Sequence, residues 1–548
     1  MTTLLRTTAP LLHDLVPAQQ RRAWAADGSY PDLDLYALFR ARQVADPHRT
    51  AVIDAKGKLC YTALDRRVRC LAAGLRAAGI GPGDVVGVQL PNNRDAVTAD
   101  LALAALGAIA LPFPVGRGGR EARSLLSRSG ARAVIAVTEH QGVAYAGELA
   151  RLIGTLPELR VVVAAGRGEV PAGCLPLREL LGTDSSGFTP ARPDPDSAAR
   201  ILVSSGTEAE PKMVAYSHNA LAGGRGNFLG SLLRPGSELR CLLLVPLASA
   251  FGSNGTAVVL ARHGGTVVLL DRFTPAAALA AIHQYQPTHV LGVPTMVRMM
   301  LGELTEQERP EGLTALVLGG SALDPATREE ARRAFGCTVV NLYGSADGVN
   351  CHTGLDGGTE PADGPGIAVG RPDPTVTDIR IAPLADGAAA GEILARGPMT
   401  PLCYVGAPEL NDRYRTPDGW VRTGDLGVLG PDGVLRVVGR LKDIVIRGGA
   451  NISPAEVEGE LSAHPAVRDV LCTGVPCPVM GERLAVCVVP RAGRPAPTLA
   501  ELSAYLDARG LERRKHPEHL LVLDALPLTP AGKPDRAALK QQLALQGV

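Results

Sequence analysis

The chain has 548 residues, 46% of them hydrophobic, with 56 Lys and Arg against 55 Asp and Glu for a net charge of +1. That length exceeds what one hydrophobic core serves, so two or more domains are expected, and the apolar content excludes a disordered chain. Near-neutrality with both signs interspersed removes any general electrostatic case for nucleic acid or an anionic membrane as partner, and a small-molecule enzyme fits better.

The ten cysteines are scattered with no C-x-x-C pair. They read as reduced thiols of a cytoplasmic protein, with neither disulfides nor zinc implied. The opening MTTLLRTTAPLLHDLVP breaks its apolar patch with Pro, His and Asp. No uninterrupted apolar run reaches about 18 residues, so neither a signal peptide nor a membrane span is expected.

From about Tyr61 helical and strand-like patterns alternate. Thr62 stands where it can cap a helix whose Leu64, Val68, Leu71 and Leu75 share one face, ending near Gly79, and a strand follows at 85–90. Further apolar runs at 133–137, 160–164, 201–204, 241–245, 266–270, 289–291 and 316–318 have amphipathic stretches between several of them. This alternation predicts α/β layers with largely parallel sheets. The stretch 166–195, rich in Gly, Pro, Ser and Asp, reads as surface loop between subdomains. After Arg440 the chain restarts with a small mixed set: helix 454–463, strands 467–474 and 484–489, helix 499–508. A boundary at about residue 441 therefore divides a large N-terminal domain, 1–440, from a small α+β domain, 441–548.

Arg422-Thr423-Gly424-Asp425 and Arg440 flank a D-G turn at Asp432-Gly433, so the two arms of a predicted hairpin bring a carboxylate and a guanidinium close together. A carboxylate can accept both hydroxyls of a ribose, although taken alone the arrangement is an ordinary cross-strand ion pair. The run ILVSSGTEAEPKMVAYSH sets Ser204, Ser205, Gly206 and Thr207 directly after a strand, where hydroxyls and backbone N–H groups can surround a phosphate, with Lys212 five residues on. By itself a Ser/Gly turn with a lysine is more often a surface loop. His218, after Ser217 at a predicted helix start, reads as structural. Of only seven lysines against 49 arginines, Lys212, Lys442 and Lys533 fall in motif-like segments, which suggests that a compact ammonium is needed there.

These segments, together with NLYGSAD at 341–347, VPLASAFGSNG at 245–255, Gly319-Gly320-Ser321, GRLKDIVIRGGANISPAEVEGEL at 439–461 and PLTPAGKPDR at 527–536, resemble the adenylate-forming superfamily of acyl-CoA synthetases, stand-alone adenylation domains and luciferases. The likeness runs from near Leu33 to Leu539. It implies an acyl-CoA synthetase-like fold with a mobile C-terminal domain. It assigns nucleotide binding to Ser204, Ser205, Gly206, Thr207, Lys212, Gly319, Ser321, Asn341, Tyr343, Gly344, Asp425 and Arg440, with Tyr343 on adenine and Asp347 on Mg²⁺. By the same resemblance Ser249, Phe251, Gly320 and Ala346 line the acyl pocket, Lys442 is the hinge, Gly448 and Gly449 form the pantetheine channel, and Lys533 is the adenylation lysine, aligning the substrate carboxylate with the α-phosphorus.

The chain also departs from the family pattern. Glu208 stands where Thr or Ser is usual, and Ala209 and Met213 replace glycines. Glu208 and Glu210 bring two negative charges to a triphosphate loop, each like-charge pair at 4 Å costing roughly 1–4 kcal/mol. Ala346 removes a hydroxyl, Asp347 is a methylene shorter than the usual acid, and Ser249 replaces a His or aromatic. The block at 245–255 lacks the aspartate that amino-acid-activating domains use, which argues against a free α-amino acid as substrate.

The expectation is therefore an acyl-CoA ligase: ATP and a carboxylic acid give an acyl-adenylate, and CoA then takes the acyl group. The rival is an enzyme that converts a preformed acyl-adenylate (acyl-AMP) to thioester, since the departures gather on the phosphate side. A carrier protein can replace CoA, and a silent ligand-binding relative fits least.

Overall fold

The computed structural model describes residues 12–204, 211–304, 310–356, 366–384, 390–447, 450–528 and 534–546. Among these residues two eight-stranded sheets form the bulk of the molecule. The first runs Asn350–His352, Thr338–Gly344, Ala315–Gly319, His289–Gly292, Arg240–Leu243, Thr266–Leu269, Thr50–Asp54, Gly57–Cys60, parallel except at its two edges. The second runs Cys403–Tyr404, Met213–Ser217, Ala198–Val203, Ile109–Pro112, Val85–Gln89, Ala133–Val137, Val161–Ala165, Cys174–Pro176, parallel from Ala198–Val203 onward. Val85–Gln89, Ala133–Val137 and Ala315–Gly319 are buried at every position, as parallel strands covered on both faces must be.

Two local expectations are corrected. The helix expected at Thr62 runs Tyr61–Ala77, but its N-cap residue is Cys60 and the Thr62 hydroxyl instead donates to Pro47 O at 2.9 Å. The helix is set by its buried face of Leu64, Val68, Leu71 and Leu75 rather than by a cap. The Gly/Pro-rich stretch at 166–195 is not loop throughout: Cys174–Pro176 adds an edge strand to the second sheet, and Leu177, Leu180 and Phe188 are buried.

A five-stranded antiparallel sheet follows, ordered Ile367–Ala368, Leu435–Arg440, Val421–Leu429, Gly391–Arg396, Asp378–Pro383. Its central hairpin turns at Asp432-Gly433 and pairs Asp425 with Arg440 in register. Beyond it lies a separate sheet whose long hairpin, Val467–Cys477 with Gly481–Pro490, extends past the expected strand ends, with Val445–Arg447, Ala450–Ile452 and His519–Val522 completing it. Helices Pro454–Ser462 and Leu499–Ala508 close its own core of Val445, Ile452, Val457, Leu461, Leu484, Val486, Leu502 and Leu506. The fold is thus a large N-terminal α/β domain carrying a small C-terminal α+β domain. The Ser453 hydroxyl donating to Val438 O and Arg298 paired with Asp469 at 3.1 Å join the small domain to the rest.

All ten cysteines are free. Among the described residues no helix is long and apolar enough to cross a membrane.

Candidate active site

The hairpin Val421–Leu429 and Leu435–Arg440 places the first part of the site. Gly424 has φ +71°, a left-handed conformation that a side chain would strain, and this turn of the backbone sets up Asp425 next to it. The Asp425 carboxylate is 6% exposed. Its Oδ1 meets Arg440 Nε at 3.0 Å, and its Oδ2 accepts from the Tyr343 hydroxyl at 2.8 Å. Burial raises the Asp425 pKa above the usual carboxylate range, and Arg440 and the Tyr343 hydroxyl pull it back only in part. Tyr343 is pushed well above the ordinary phenol range, first by burial and then by the Asp425 charge, so it stays a donor. An ionised carboxylate offers about four lone-pair positions; these two partners use two of them and leave acceptor capacity for a pair of hydroxyls.

Tyr343 and Gly344 end the strand Thr338–Gly344, one strand over from Gly319. Asn341, on the same strand, is buried and donates its amide to Ala368 O at 3.0 Å, tying the first sheet to the five-stranded one. Gly319 is buried at a strand end, Gly320 is exposed and Ser321 partly so. The chain then turns through Ser345 to Asp347, whose Oδ1 accepts from the Tyr404 hydroxyl at 2.8 Å and faces Lys212 Nζ at 3.7 Å.

Lys212, expected on a polyphosphate, is held here by three groups: Asp347, the Tyr414 ring at 3.7 Å from its centre, and the Tyr404 ring at 5.6 Å. Backbone and side-chain bonds between Ser204 and Lys212, Ser204 N to Lys212 O at 2.9 Å and Lys212 N to Ser204 Oγ at 3.1 Å, close the two rims of the segment between them. Arginines from both ends of the helix Gly119–Arg128 reach the same rims: Arg117 donates to Ser204 O at 3.4 Å and Arg128 to Pro211 O at 3.1 Å. A groove on the same helix is lined by Arg120, Arg123 and Arg128, with Glu409 opposite in charge among its other walls. Ser205, Gly206, Thr207, Gly448, Gly449 and Lys533 lie outside the described residues.

The block 245–255 is tightly wound. A Cβ on Gly252 would meet Pro246 O at 1.9 Å, so only glycine fits. The Ser249 hydroxyl accepts from Gly252 N at 2.9 Å and is engaged within the loop itself; Phe251 is half-buried against the core. Asn92 clasps the loop at both sides, donating to Val245 O at 2.9 Å and accepting from Leu247 N at 2.7 Å. Ala346 is buried, and its carbonyl accepts from the Tyr216 hydroxyl at 2.8 Å. His218 is buried with its Nδ1 accepting from Leu35 N at 3.2 Å, and burial lowers its pKa to about 4, so it is a neutral structural group. Lys442 is exposed in the turn Leu441–Asp443.

Sequence reasoning missed Tyr404, Tyr414, Asn92, Arg225 and Arg415. Arg415 sits beside Tyr404, where burial lowers its pKa. None of these lies in a motif, whereas Arg117 and Arg128 bound an arginine-rich run that was visible at 117–128.

The chain matches the AMP-binding enzyme family over residues 39–405, and the C-terminal domain of AMP-binding enzymes over 456–533. It belongs to that family. This adenylate-forming enzyme is 32% identical to the salicyl-AMP ligase / salicyl-S-ArCP synthetase of Mycobacterium tuberculosis, over 96% of this chain and 94% of that protein. It is 29% identical to the medium-chain fatty-acid–CoA ligase of Escherichia coli, over 96% and 93%. Among solved structures, the amide bond synthetase McbA from Marinactinospora thermotolerans superposes with a TM-score of 0.79 at 27% identity, covering 93% of this chain and 99% of that one. By class the enzyme is an acid–thiol ligase.

Proposed function

We propose that the enzyme activates a carboxylic acid with ATP as an acyl-adenylate and transfers the acyl group to the thiol of CoA. The observation that carries this reading is the Tyr343–Asp425–Arg440 group, a buried carboxylate with acceptor capacity to spare beside an aromatic face. A nucleoside joins base to ribose over a few ångströms, so one residue pair can stack the base on Tyr343 and accept the ribose hydroxyls at Asp425. Adenylation then joins the acid's carboxylate oxygen to the α-phosphorus and releases pyrophosphate. The thiolate next adds to the acyl carbon, AMP leaves, and the thioester remains.

Mg²⁺ bound with nucleotide phosphates needs only one or two protein carboxylates. Among the described residues Asp347 supplies one and no cluster of three metal-ligating side chains occurs, which fits an ion held mainly by ATP. Such an ion would neutralise phosphate charge. Lys212 would turn from Asp347 to the phosphates, Lys533 would align the carboxylate, and Ser204 to Thr207 would cradle the phosphate oxygens. The boundary near residue 441, with Lys442 as hinge and Gly448-Gly449 as the thiol path, would let one site serve both half-reactions.

A second reading has an observation of its own. With Lys212 tied to Asp347 and Tyr414, and Glu208 and Glu210 in the loop, the polyphosphate end is the weakest part of the site. An enzyme limited to thioester formation from a supplied acyl-adenylate would show this pattern. The arginines at the loop rims favour the full reaction. Relatives whose names include both CoA and ArCP products leave CoA and a carrier protein as rival acceptors. Carboxylate-dependent ATP–pyrophosphate exchange, followed by thioester detection with each acceptor, tests the proposal.

A further inference from the structure

Arg225 is 5% exposed, and among the described residues no carboxylate pairs with it. Its Nη1 donates to Ala250 O at 2.8 Å, and its guanidinium lies over the Tyr216 ring, Cζ 4.9 Å from the ring centre. Nε and Nη2 are buried with no hydrogen-bond partner. These two atoms form one edge of the guanidinium, the side-on fork whose parallel N–H groups match the two oxygens of a carboxylate.

A purely structural tie to Ala250 would need one donor. Leaving two more N–H groups and a full positive charge buried without a partner is unfavourable, because both lose their hydration with nothing in return. Arg200, equally buried, is by contrast paired with Asp100, whereas Arg415 beside Tyr404 shares the pattern of Arg225, with Nε and Nη1 buried and, among the described residues, unpartnered. The backbone that carries Arg225 is fixed with little room to relax. It follows the buried π-turn Ala220–Gly224, where a Cβ on Gly224 would lie 2.4 Å from Met399 N. π-turns of this kind recur at functional sites.

The position of the fork relates it to the acyl group. Its one partner, Ala250, lies between Ser249 and Phe251, and the ring beneath it belongs to Tyr216, whose hydroxyl holds Ala346 O. Both segments are those assigned to the acyl pocket. We infer that Arg225 receives a second carboxylate of the substrate, so that the acid activated here is a dicarboxylic acid. One carboxylate reacts at the α-phosphorus and the other docks on the Nε/Nη2 fork. This inference rests on the adenylation reading above and adds the substrate class to it.

The test uses the full chain and ATP–pyrophosphate exchange with matched pairs of acids: aliphatic diacids of three to eight carbons and the three benzenedicarboxylic acids, each beside its monomethyl ester. The expected result is at least one diacid preferred over its half-ester by about 10²-fold or more in kcat/KM, as for a site built around a buried polar contact. That preference should fall to within a few-fold in Arg225→Gln, with Arg225→Lys, which keeps charge but loses the fork, in between. Half-esters or plain monoacids turned over as well as every diacid would overturn the inference while leaving the adenylation reading intact. No exchange with any acid would instead fail the adenylation reading. The inference is then decided by thermal shift with the same acids and no ATP: stabilisation by a diacid that is absent with its half-ester and lost in Arg225→Gln supports it. Stabilisation by AMP alone that depends on Arg225 assigns the fork to phosphate and overturns it. If Arg225→Gln does not fold, the wild-type pair ratios and Arg225→Lys decide the matter.

Discussion

Tyr343 donates its phenolic hydrogen to Asp425 at 2.8 Å, joining the end of a strand in the first large sheet to a hairpin of the five-stranded sheet. The two residues are 82 positions apart, and the bond sets an aromatic face beside a buried carboxylate. Asp425→Asn keeps the shape and removes the charge. Charge-assisted hydrogen bonds contribute about 1.5–3 kcal/mol each, so loss of two to a ribose predicts at least a 10²-fold fall in kcat/KM for ATP. Tyr343→Phe, which removes one donor to the carboxylate, should cost about tenfold. Initial-rate kinetics with ATP varied measures both.

The same group predicts a pH dependence. Burial raises the Asp425 pKa, so its ionised form, the one that accepts two hydroxyls, is lost as pH falls through a value above the usual 3.8. Nucleotide affinity should therefore show an acid limb at higher pH than a solvated aspartate gives. Arg440 lowers this pKa, so Arg440→Gln should move the limb upward as well as weaken binding. AMP titrations between pH 4 and 8 read the shift, and a limb unmoved by Arg440→Gln would separate Asp425 from it.

Lys212 lies 3.7 Å from the centre of the Tyr414 ring. Cation–π contacts contribute about 0.5–2 kcal/mol. If Lys212 leaves Tyr414 to meet ATP, Tyr414→Leu should lower KM for ATP a few-fold with little change in the use of a supplied acyl-adenylate. A raised KM would mean that Tyr414 holds Lys212 in its working place.

In the small domain, Arg536 donates to both oxygens of half-buried Glu458, at 2.6 and 2.8 Å, and anchors the helix Arg536–Leu545 that follows Lys533. Burial raises the Glu458 pKa and Arg536 opposes it. Breaking a fully buried pair costs about 3–5 kcal/mol, and a half-buried one less, so Arg536→Ala should unfold the small domain at lower denaturant. Adenylation should be lost with it, readable by following Trp-independent circular dichroism and exchange on the same samples.

His218 gives a stability prediction of its own. Its folded pKa is lowered from 6.5 to about 4 by burial. The unfolded chain therefore binds this proton first, and stability present above pH 6.5 is lost as pH falls toward 4. At about 1.4 kcal/mol per pH unit this amounts to roughly 3 kcal/mol. His218→Gln should flatten that part of the denaturation profile.

What the sequence made legible was local or paired by a short turn. The Asp425–Arg440 register followed from the turn at Asp432-Gly433, and the small domain's helices and strands followed from their own periodicity. Thr62 was misread as a cap because capping propensity is a weak signal beside a buried helix face. Sheet order was not legible: Thr50–Asp54 pairs with Thr266–Leu269, over 200 residues away, and nothing in either strand names the other. Tyr404, Tyr414 and Arg225 escaped for the same reason. Each acquires meaning only through a neighbour brought in by the fold, Asp347 and Lys212 for the tyrosines and Ala250 for the arginine.

The most direct measurement is carboxylate-dependent ATP–pyrophosphate exchange on wild type and Lys533→Ala, run beside wells that supply synthetic acyl-adenylates with CoA. The proposed two-step ligase predicts exchange in wild type that vanishes in Lys533→Ala, while thioester still forms from the supplied adenylate. Thioester from the adenylate with no exchange for any acid would contradict it and leave an enzyme of the second half-reaction alone.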